Sequence, residues 1–330
     1  MVLRNRLGLL IKLAAVVAYP YLFSSEYFIH LGVMAGMWIM LATSMNLLLG
    51  YVGQTPLGHT AFFGIGAFTA GLLSVKLRVP FWFTLPSGVV ASVVAAYFIG
   101  RITLGLRGAY FVLASLGFAE VLKLVTVNWV DLTGGPMGLS GISPPQLPLP
   151  IAGRISVSDR LSYYFLMWAV VGLVLLVVHR LIHSPVGRSW LALSENEPLA
   201  EAVGVSAGQA TMLALLVSGG IAGLAGVMYA HYIGFISPDV FYLLYSITML
   251  IMVITGRKRT FAGPIFGAIV FTLVPEFLRA AQNFRMAIYG ALIIAIILYL
   301  PDGLLPALAN LWRAASKRRV ETWRSCKPTN

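Results

Sequence analysis

The sequence is poor in charged residues and contains almost no cysteine. Only 10% of its 330 residues are charged, whereas 59% are apolar, and the mean hydropathy is +0.87. Soluble domains carry about 25% charged residues, so this composition excludes a soluble enzyme. The single cysteine, Cys326, cannot form an internal disulfide and cannot supply a thiolate metal cluster. The sequence therefore predicts a membrane protein whose fold depends on neither an internal disulfide nor a thiolate metal cluster.

Acidic residues are scarcer than basic ones, and the usual catalytic patterns are absent. The sequence has 11 Asp and Glu residues and 23 Lys and Arg residues, which gives a formal charge of +12. On a soluble chain this excess would suggest nucleic acid, but membrane proteins collect basic residues in their cytoplasmic loops. No lysine follows a glycine, which excludes a P-loop and ATP hydrolysis by this chain. We predict no catalytic residues, no bound metal, no cofactor and no nucleic-acid partner.

Apolar stretches long enough to cross a bilayer recur along the whole chain. A membrane-spanning helix needs about 20 mostly apolar residues. The sequence therefore predicts an all-α polytopic membrane protein with about ten transmembrane helices in a single domain, residues 1–330. The predicted spans are Leu7–Phe23, Leu31–Leu49, Leu57–Val75, Phe81–Gly100, Ala109–Val127, Ser162–Leu181, Ala210–Ala230, Val240–Ile254, Gly263–Leu278 and Met286–Leu300.

The basic residues predict the orientation of these spans. Ten spans put both termini on one side, and the segment at about 305–330 is strongly basic, so both termini should be cytoplasmic. A loop at about 128–161 is then external, and a loop at about 183–208 is internal. The external loop is rich in glycine and proline, which predicts an ordered, turn-rich cap.

The internal loop contains one short predicted helix. Ser194 and Glu197 have the spacing of a capping box, Pro198 suits a first turn, and Gly204 suits the position after the last turn. We expect a helix of about two turns, from Glu197 to Val203. Its apolar side fits either the groove of a partner or the surface of the bilayer. That side consists of Leu199, Ala202 and Val203.

Short motifs follow one another in a fixed order between Met45 and Leu304. They are Leu47–Gln54, Leu57–Ala67, Leu106–Gly108, Leu116–Glu120, Leu132–Pro136, Gly138–Gly141, Glu201–Gly204, Gly219–Gly226, Tyr229–Tyr232, Ser237–Asp239 and Pro301–Leu304. In this order they resemble the permease subunits of branched-chain amino acid ABC importers, and among these the larger of the two unlike subunits. The resemblance implies the ABC importer permease fold and transport by alternating access.

The resemblance also implies partners, a cargo and a location. The expected partners are a second homologous permease subunit, two cytoplasmic ATPase subunits that bind the ATP, and a periplasmic or extracellular solute-binding protein. The expected cargo is a branched-chain or related amino acid, with urea or a short amide as the alternative. The chain is expected in the cytoplasmic (inner) membrane of a bacterium, in contact with membrane lipid.

The resemblance assigns the short internal helix to coupling with the ATPase. The positions concerned are Glu197, Glu201, Ala202 and Gly204, of which Glu201 is expected to matter most. One departure from the family is the segment Gly256–Thr260, where three cations replace a glycine-rich turn. We interpret these cations, Arg257, Lys258 and Arg259, as contacts to anionic lipid.

The glycine-rich stretch at 50–71 has two interpretations. It allows either close helix packing or a broken helix along a substrate path. In the second case Gln54 and His59 would offer polar contacts, and Phe62 and Phe63 would form apolar walls. A passive channel lined by these glycine-rich spans is a further alternative.

Two charged residues lie within one predicted span. Glu120 falls near mid-depth, and Lys123 is its neighbour on the same helix face. We expect an intramembrane ion pair that fixes helix packing inside the bundle. The alternative is a transport role, including that of a relay in an ion-coupled secondary transporter.

Overall fold

The structure is a computed structural model that is almost entirely helical. It describes residues 16–22, 25–103, 105–106, 108–149, 153–156 and 160–277, together with Gly290 and Ile294. The helices are α1 (Glu26–Asn46), continued by a π-helical turn (Leu47–Val52), α2 (Thr60–Lys76), α3 (Phe81–Thr103), α4 (Ala109–Asn128), α5 (Val130–Thr133), α6 (Arg160–Ile182), α7 (Pro185–Glu195), α8 (Glu197–Ala202), α9 (Ala207–Ile233), α10 (Leu243–Gly256) and α11 (Ala262–Phe277).

Among the described residues, five segments are long and apolar enough to cross a membrane. They are Glu26–Val52, α3, α4, α6 and α9, and three shorter apolar helices, α2, α10 and α11, accompany them. These segments coincide with the predicted spans between Leu31 and Leu278, so the all-α polytopic class is confirmed. The first predicted span is described only at 16–22, which are helical, and the last lies outside the described residues except for Gly290 and Ile294. The count of ten is therefore not confirmed.

Two of the predicted spans begin too early in the sequence. Residues 57–59 form a turn before α2, and Pro238–Phe241 form a 3₁₀ turn before α10. A proline opens each turn, at Pro56 and Pro238, where its fixed φ favours a turn and its missing N–H costs no hydrogen bond. As a result α10 has only 14 residues, about 21 Å of helix, which is too short to cross a bilayer alone.

Helices α1 and α9 form the centre of the bundle. In their most apolar stretches 72% and 67% of the residues are buried, compared with 22% in α4 and 28% in α6. Helix α9 packs against α2, α3 and α1, while α10 and α11 pack against each other and against α1. Helices α4 and α6 are therefore peripheral, and each exposes a broad side.

Glycines allow α2 and α9 to approach backbone to backbone. A Cβ atom at Gly66 would collide with the carbonyl oxygen of Gly223, and one at Gly226 would collide with that of Phe63. Close approach of this kind maximises van der Waals contact. In lipid, where the hydrophobic effect does not drive helices to associate, this contact holds them together. The hydroxyl of Ser92 on α3 adds a hydrogen bond to the carbonyl of Phe62, at 3.0 Å.

Short strands tie the long loop after α4 to the end of α9. Strand β1 (Leu139–Ser140) pairs antiparallel with β4 (Phe235–Ile236), and β2 (Gln146–Leu149) forms a hairpin with β3 (Gly153–Ser156). His231 of α9 bridges this region, with Nδ1 donating to the carbonyl of Ser143 at 2.7 Å. We call this end of the bundle the strand end, and the opposite end, which carries α7 and α8, the α8 end.

We expect Gly226→Ala to lower the free energy of unfolding by about 1–3 kcal/mol, because the new methyl group meets rigid backbone. The matched control is Gly172→Ala on α6, where nothing lies within 4 Å of the added atom. Thermal unfolding of the purified protein in detergent measures both variants. A Gly226→Ala protein as stable as Gly172→Ala would show that this helix contact is not tight.

Candidate functional site

The short helix α8 forms where the sequence predicts it, but with a different N-cap. Its N-cap is Asn196, whose side-chain oxygen accepts a hydrogen bond from the backbone N–H of Leu199 at 3.0 Å. The predicted capping box of Ser194 and Glu197 is wrong, because Ser194 still belongs to α7. Its hydroxyl donates to the carbonyl of Leu191 at 2.8 Å and is not free to cap α8. Pro198 occupies the first turn, as predicted.

Gly204 ends α8 in the left-handed conformation, with φ of +92°. Its N–H donates to the carbonyl of Glu201 at 2.9 Å, and the N–H of Val205 donates to that of Ala200 at 3.0 Å. This pair of bonds is a Schellman motif, which only glycine enters without strain. The helix therefore stops after six residues and stands out as a small, fixed projection.

The outer side of α8 is apolar and uncovered. Leu199 is 63% exposed and Val203 is 75% exposed, while Ala200 on the inner side is buried against α7 and α9. The side chains of Glu201 and Ala202 are also exposed. A pair of large exposed apolar side chains beside a carboxylate is typical of a surface that a partner covers.

Two side-chain hydrogen bonds fix α7 to the bundle. Trp190 is fully buried, and its indole N–H donates to the carbonyl of Ala210 on α9 at 2.8 Å. Arg259, in the turn between α10 and α11, donates from its guanidinium to the carbonyl of Ser194 at 2.9 Å. The amide of Asn46 at the end of α1 donates to the carbonyl of Thr260 in the same turn, at 3.1 Å. Helices α7 and α8 are thus linked to α9 directly and to α1 through this turn.

The turn between α10 and α11 carries the three cations that we interpreted as lipid contacts. Arg257, Lys258 and Arg259 are all exposed, so contact with anionic lipid stays a prediction, and Arg259 also donates a hydrogen bond to protein. Arg257 and Arg259 have φ of +98° and +62°, values that favour glycine. The backbone therefore adopts a turn suited to glycine although arginines occupy it. Sequence reasoning missed the Arg259 contact, since no local pattern links it to Ser194.

The four predicted path residues lie in or near the helix core. His59, Phe62 and Phe63 are buried, and Gln54 is partly buried. The hydroxyl of Ser44 lies 2.8 Å from His59 Nε2 and donates to the carbonyl of Leu41, so the Nε2 atom carries the proton and donates to Ser44. Among the described residues, His59 Nδ1 and the Gln54 side-chain oxygen have no hydrogen-bond partner. A small cavity of about 10 Å³ lies beside Phe62.

Glu120 and Lys123 form an ion pair, with 2.8 Å between Nζ and Oε1. The expectation that this pair lies inside the bundle is wrong, because the Glu120 side chain is 52% exposed and that of Lys123 is 25% exposed. Both lie on the outer side of the peripheral helix α4. The Lys123 ammonium also lies 5.0 Å from the ring centre of Tyr242, which precedes α10.

A larger cleft opens at the strand end, and sequence reasoning missed it. Its volume is about 670 Å³, and its walls come from the ends of α1, α6 and α9. Glu26 and Arg160 form an ion pair at 2.7 Å, and His30 Nδ1 lies 2.8 Å from the Tyr232 hydroxyl. No local pattern reveals a cleft whose walls come from three helices that are far apart in the sequence. Within the described part of the chain, no group of three His, Cys, Asp or Glu side chains could hold a metal.

The comparisons with known proteins decide the family. Residues 27–297 match the family described as branched-chain amino acid transport system, permease component. The chain belongs to this family. A permease component is a transport subunit and not an enzyme, and together with the apolar helices this makes the chain a multi-pass protein of the inner membrane.

Several permease proteins are similar to the chain. The high-affinity branched-chain amino acid transport system permease proteins LivM of Salmonella typhimurium and of Escherichia coli are each 30% identical to it, over 92% of this chain and 75% of their own length. The permease protein LivH of the same system in Escherichia coli is 20% identical, over 81% of this chain and 91% of its own. No solved structure matches the chain. The chain therefore resembles LivM, the larger of the two permeases, more than LivH.

Arg257 and Arg259 both have positive φ, so comparing their variants separates the contribution of the Arg259 hydrogen bond to stability from that of backbone strain. Arg257→Gly and Arg259→Gly each relieve a backbone with positive φ, but only the second loses the bond to Ser194. We expect Arg259→Gly to be less stable than Arg257→Gly by about 1 kcal/mol, the net value of one hydrogen bond. Thermal unfolding measures the difference, and equal melting temperatures would show that the guanidinium contributes nothing.

Proposed function

We propose that this chain is the larger of two unlike permease subunits in an ATP-driven importer of branched-chain amino acids. The observation that carries the proposal is a family match over most of the chain, combined with an apolar projection, α8, at one end of a membrane bundle. The permeases named LivM and LivH supply the substrate class. They favour amino acids over urea or short amides, which none of their names mentions.

In this proposal α8 is the docking element for a cytoplasmic ATPase. Leu199 and Val203 enter a groove of the ATPase, and Glu201 lies at the rim of the contact. Burial of two such side chains is worth about 1.5–3 kcal/mol each, enough to matter in a permanent complex. The ATPase binds the ATP, because this chain has no lysine after a glycine and hence no P-loop.

The links of α7 to the bundle suggest how ATPase motion reaches the spans. A displacement of α8 moves α7, which pulls on α9 through Trp190 and on the α10–α11 turn through Arg259. The α10–α11 turn is also bound to the end of α1, through the hydrogen bond from Asn46. Alternating access requires such linked helix ends to move together, opening the path on one side while closing it on the other.

The remaining assignments concern the two faces of the membrane. The α8 end faces the cytoplasm, as the basic residues of the sequence predict, and both termini lie on that side. The strand end then faces outward and meets a solute-binding protein that delivers the substrate. A second, homologous permease completes the membrane unit, and two ATPase subunits complete the importer.

Co-purification tests the proposal directly. The tagged chain is extracted from its native membrane in mild detergent, and the proteins that accompany it are identified and counted. We expect a second permease and a P-loop ATPase in fixed ratio, and ATP-dependent leucine uptake after reconstitution with the binding protein. A chain recovered alone that moves solute under an ion gradient would contradict the proposal and favour a secondary transporter.

The docking role of α8 gives a sharper prediction. Leu199→Asp places a charge in the proposed apolar contact, so recovery of the ATPase with the chain should fall about tenfold or more. The control is Leu77→Asp, an equally exposed leucine after α2 at the opposite end, which should leave ATPase recovery unchanged. Quantitative mass spectrometry of the captured complex reads out both. Full ATPase recovery with Leu199→Asp would show that α8 does not carry the contact.

A further inference from the structure

Helix α4 exposes one continuous side along its whole length. The exposed positions recur every three or four residues, as expected for a single helix face. Most of its residues are apolar or small, and Glu120 lies in the middle of the face. The positions are Tyr110, Leu113, Gly117, Glu120, Val121 and Leu124.

Glu120 lies too deep for this face to be in contact with lipid. It is the twelfth of the 20 residues of α4, about 18 Å along the helix axis, and Lys123 follows one turn later. A charged side chain in the hydrocarbon core costs about 2.5–3.5 kcal/mol even by the most lenient measure. Intramembrane charges pair with one another and face water-filled cavities or other protein, so the depth of this pair favours such surroundings over lipid for the α4 face.

A second polar element borders the ion pair. The segment 237–242, between β4 and α10, packs against α4 and α2 and brings Asp239 and Tyr242 to this face. Asp239 accepts a hydrogen bond from the Ser237 hydroxyl at 2.9 Å, and its carboxylate lies beside the Tyr242 phenol. Lys123 lies over the ring of Tyr242. One cation, two carboxylates and an aromatic wall are therefore concentrated at one depth.

We propose that Glu120 and Lys123 contact the two charged groups of the amino acid substrate as it crosses the membrane. The substrate ammonium replaces Lys123 as the partner of the Glu120 carboxylate, and the substrate carboxylate accepts hydrogen bonds from the Lys123 ammonium. Because a zwitterion has no net charge, this exchange turns one ion pair into two without changing the charge of the site. The inference rests on the proposed function and assigns the α4 face to the water-filled path.

Thiol labelling tests whether the face is aqueous. Cys326 is the only cysteine of this chain, so Cys326→Ser removes its background labelling, and the label is read on this chain alone after the subunits of the complex are separated. In that background we expect Glu120→Cys to react with a water-soluble, charged methanethiosulfonate about tenfold faster than the control Val94→Cys. Val94 lies exposed on α3, and a cysteine there should react slowly because thiolates form poorly in apolar surroundings. Leucine-loaded binding protein should slow the labelling at position 120. Equal rates at the two positions would overturn the proposal.

Uptake by charge variants tests whether the pair contacts substrate or only stabilises the helix. Glu120→Gln should lower the maximal rate of leucine uptake about tenfold, the value of one charged hydrogen bond, and Glu120→Asp should retain most of it. The double exchange Glu120→Lys with Lys123→Glu keeps an ion pair but reverses its direction, so uptake should stay low. Restored uptake in this double variant would show a purely structural pair and overturn the proposal. The control Arg101→Gln, at an exposed charge near the end of α3 and outside the proposed contacts, should change uptake less than about twofold.

The unmodified complex separates this inference from the proposed function. If it shows no ATP-driven leucine uptake, the proposed function fails, and the substrate contact fails with it. If it transports leucine while Glu120→Cys remains as unreactive as Val94→Cys, only the substrate contact is wrong.

Discussion

The backbone contact between α2 and α9 is the constraint on which the other helix positions depend. Lipid surrounds the bundle, so apolar side chains gain little by clustering, and helices associate through close packing and hydrogen bonds. Gly66 and Gly226 provide the close packing, because a Cβ atom at either would collide with the backbone of the other helix, and Gly223 leaves room for Ser92 of α3. Helix α3 then fits against both, with Ser92 donating to the carbonyl of Phe62. The same helix α9 reaches both functional ends, contacting Trp190 at one and carrying His231 at the other.

Much of this fold follows from the sequence, because the signals for it are local. Long apolar runs mark the spans, and the signals at Pro198 and Gly204 place α8 within a residue or two. The errors are also local. Ser194 and Asn196 can both cap a helix, and the sequence alone favoured the first because Glu197 completes a capping box with it. The preceding helix α7 continues to Glu195, so Ser194 lies within α7 and Asn196 is the N-cap of α8.

The candidate sites could be predicted less well, because they depend on which way a helix face points. The i, i+3 spacing of Glu120 and Lys123 predicts that the two side chains meet, and it contains no information on whether they meet inside the bundle or on its surface. The peripheral position of α4 decides this, and it results from the packing of α2, α3 and α9. The glycines near His59 left two interpretations open, close helix packing or a broken helix along a path, and Gly66 supports the first because it allows two backbones to touch.

In the proposed transport cycle, Glu120 and Lys123 near mid-depth contact the substrate, and α8 at one end of the bundle contacts the ATPase. A site that exchanges one ion pair for two binds a zwitterion without a large electrostatic cost, so the substrate can also leave it. Release then depends on helix movement rather than on a change of charge. That movement must start at α8, whose hydrogen-bonded links through Trp190 and Arg259 end on backbone carbonyls of α9 and α7. Backbone acceptors move with their helix as a whole, and therefore a small displacement of α8 shifts whole helices instead of single side chains.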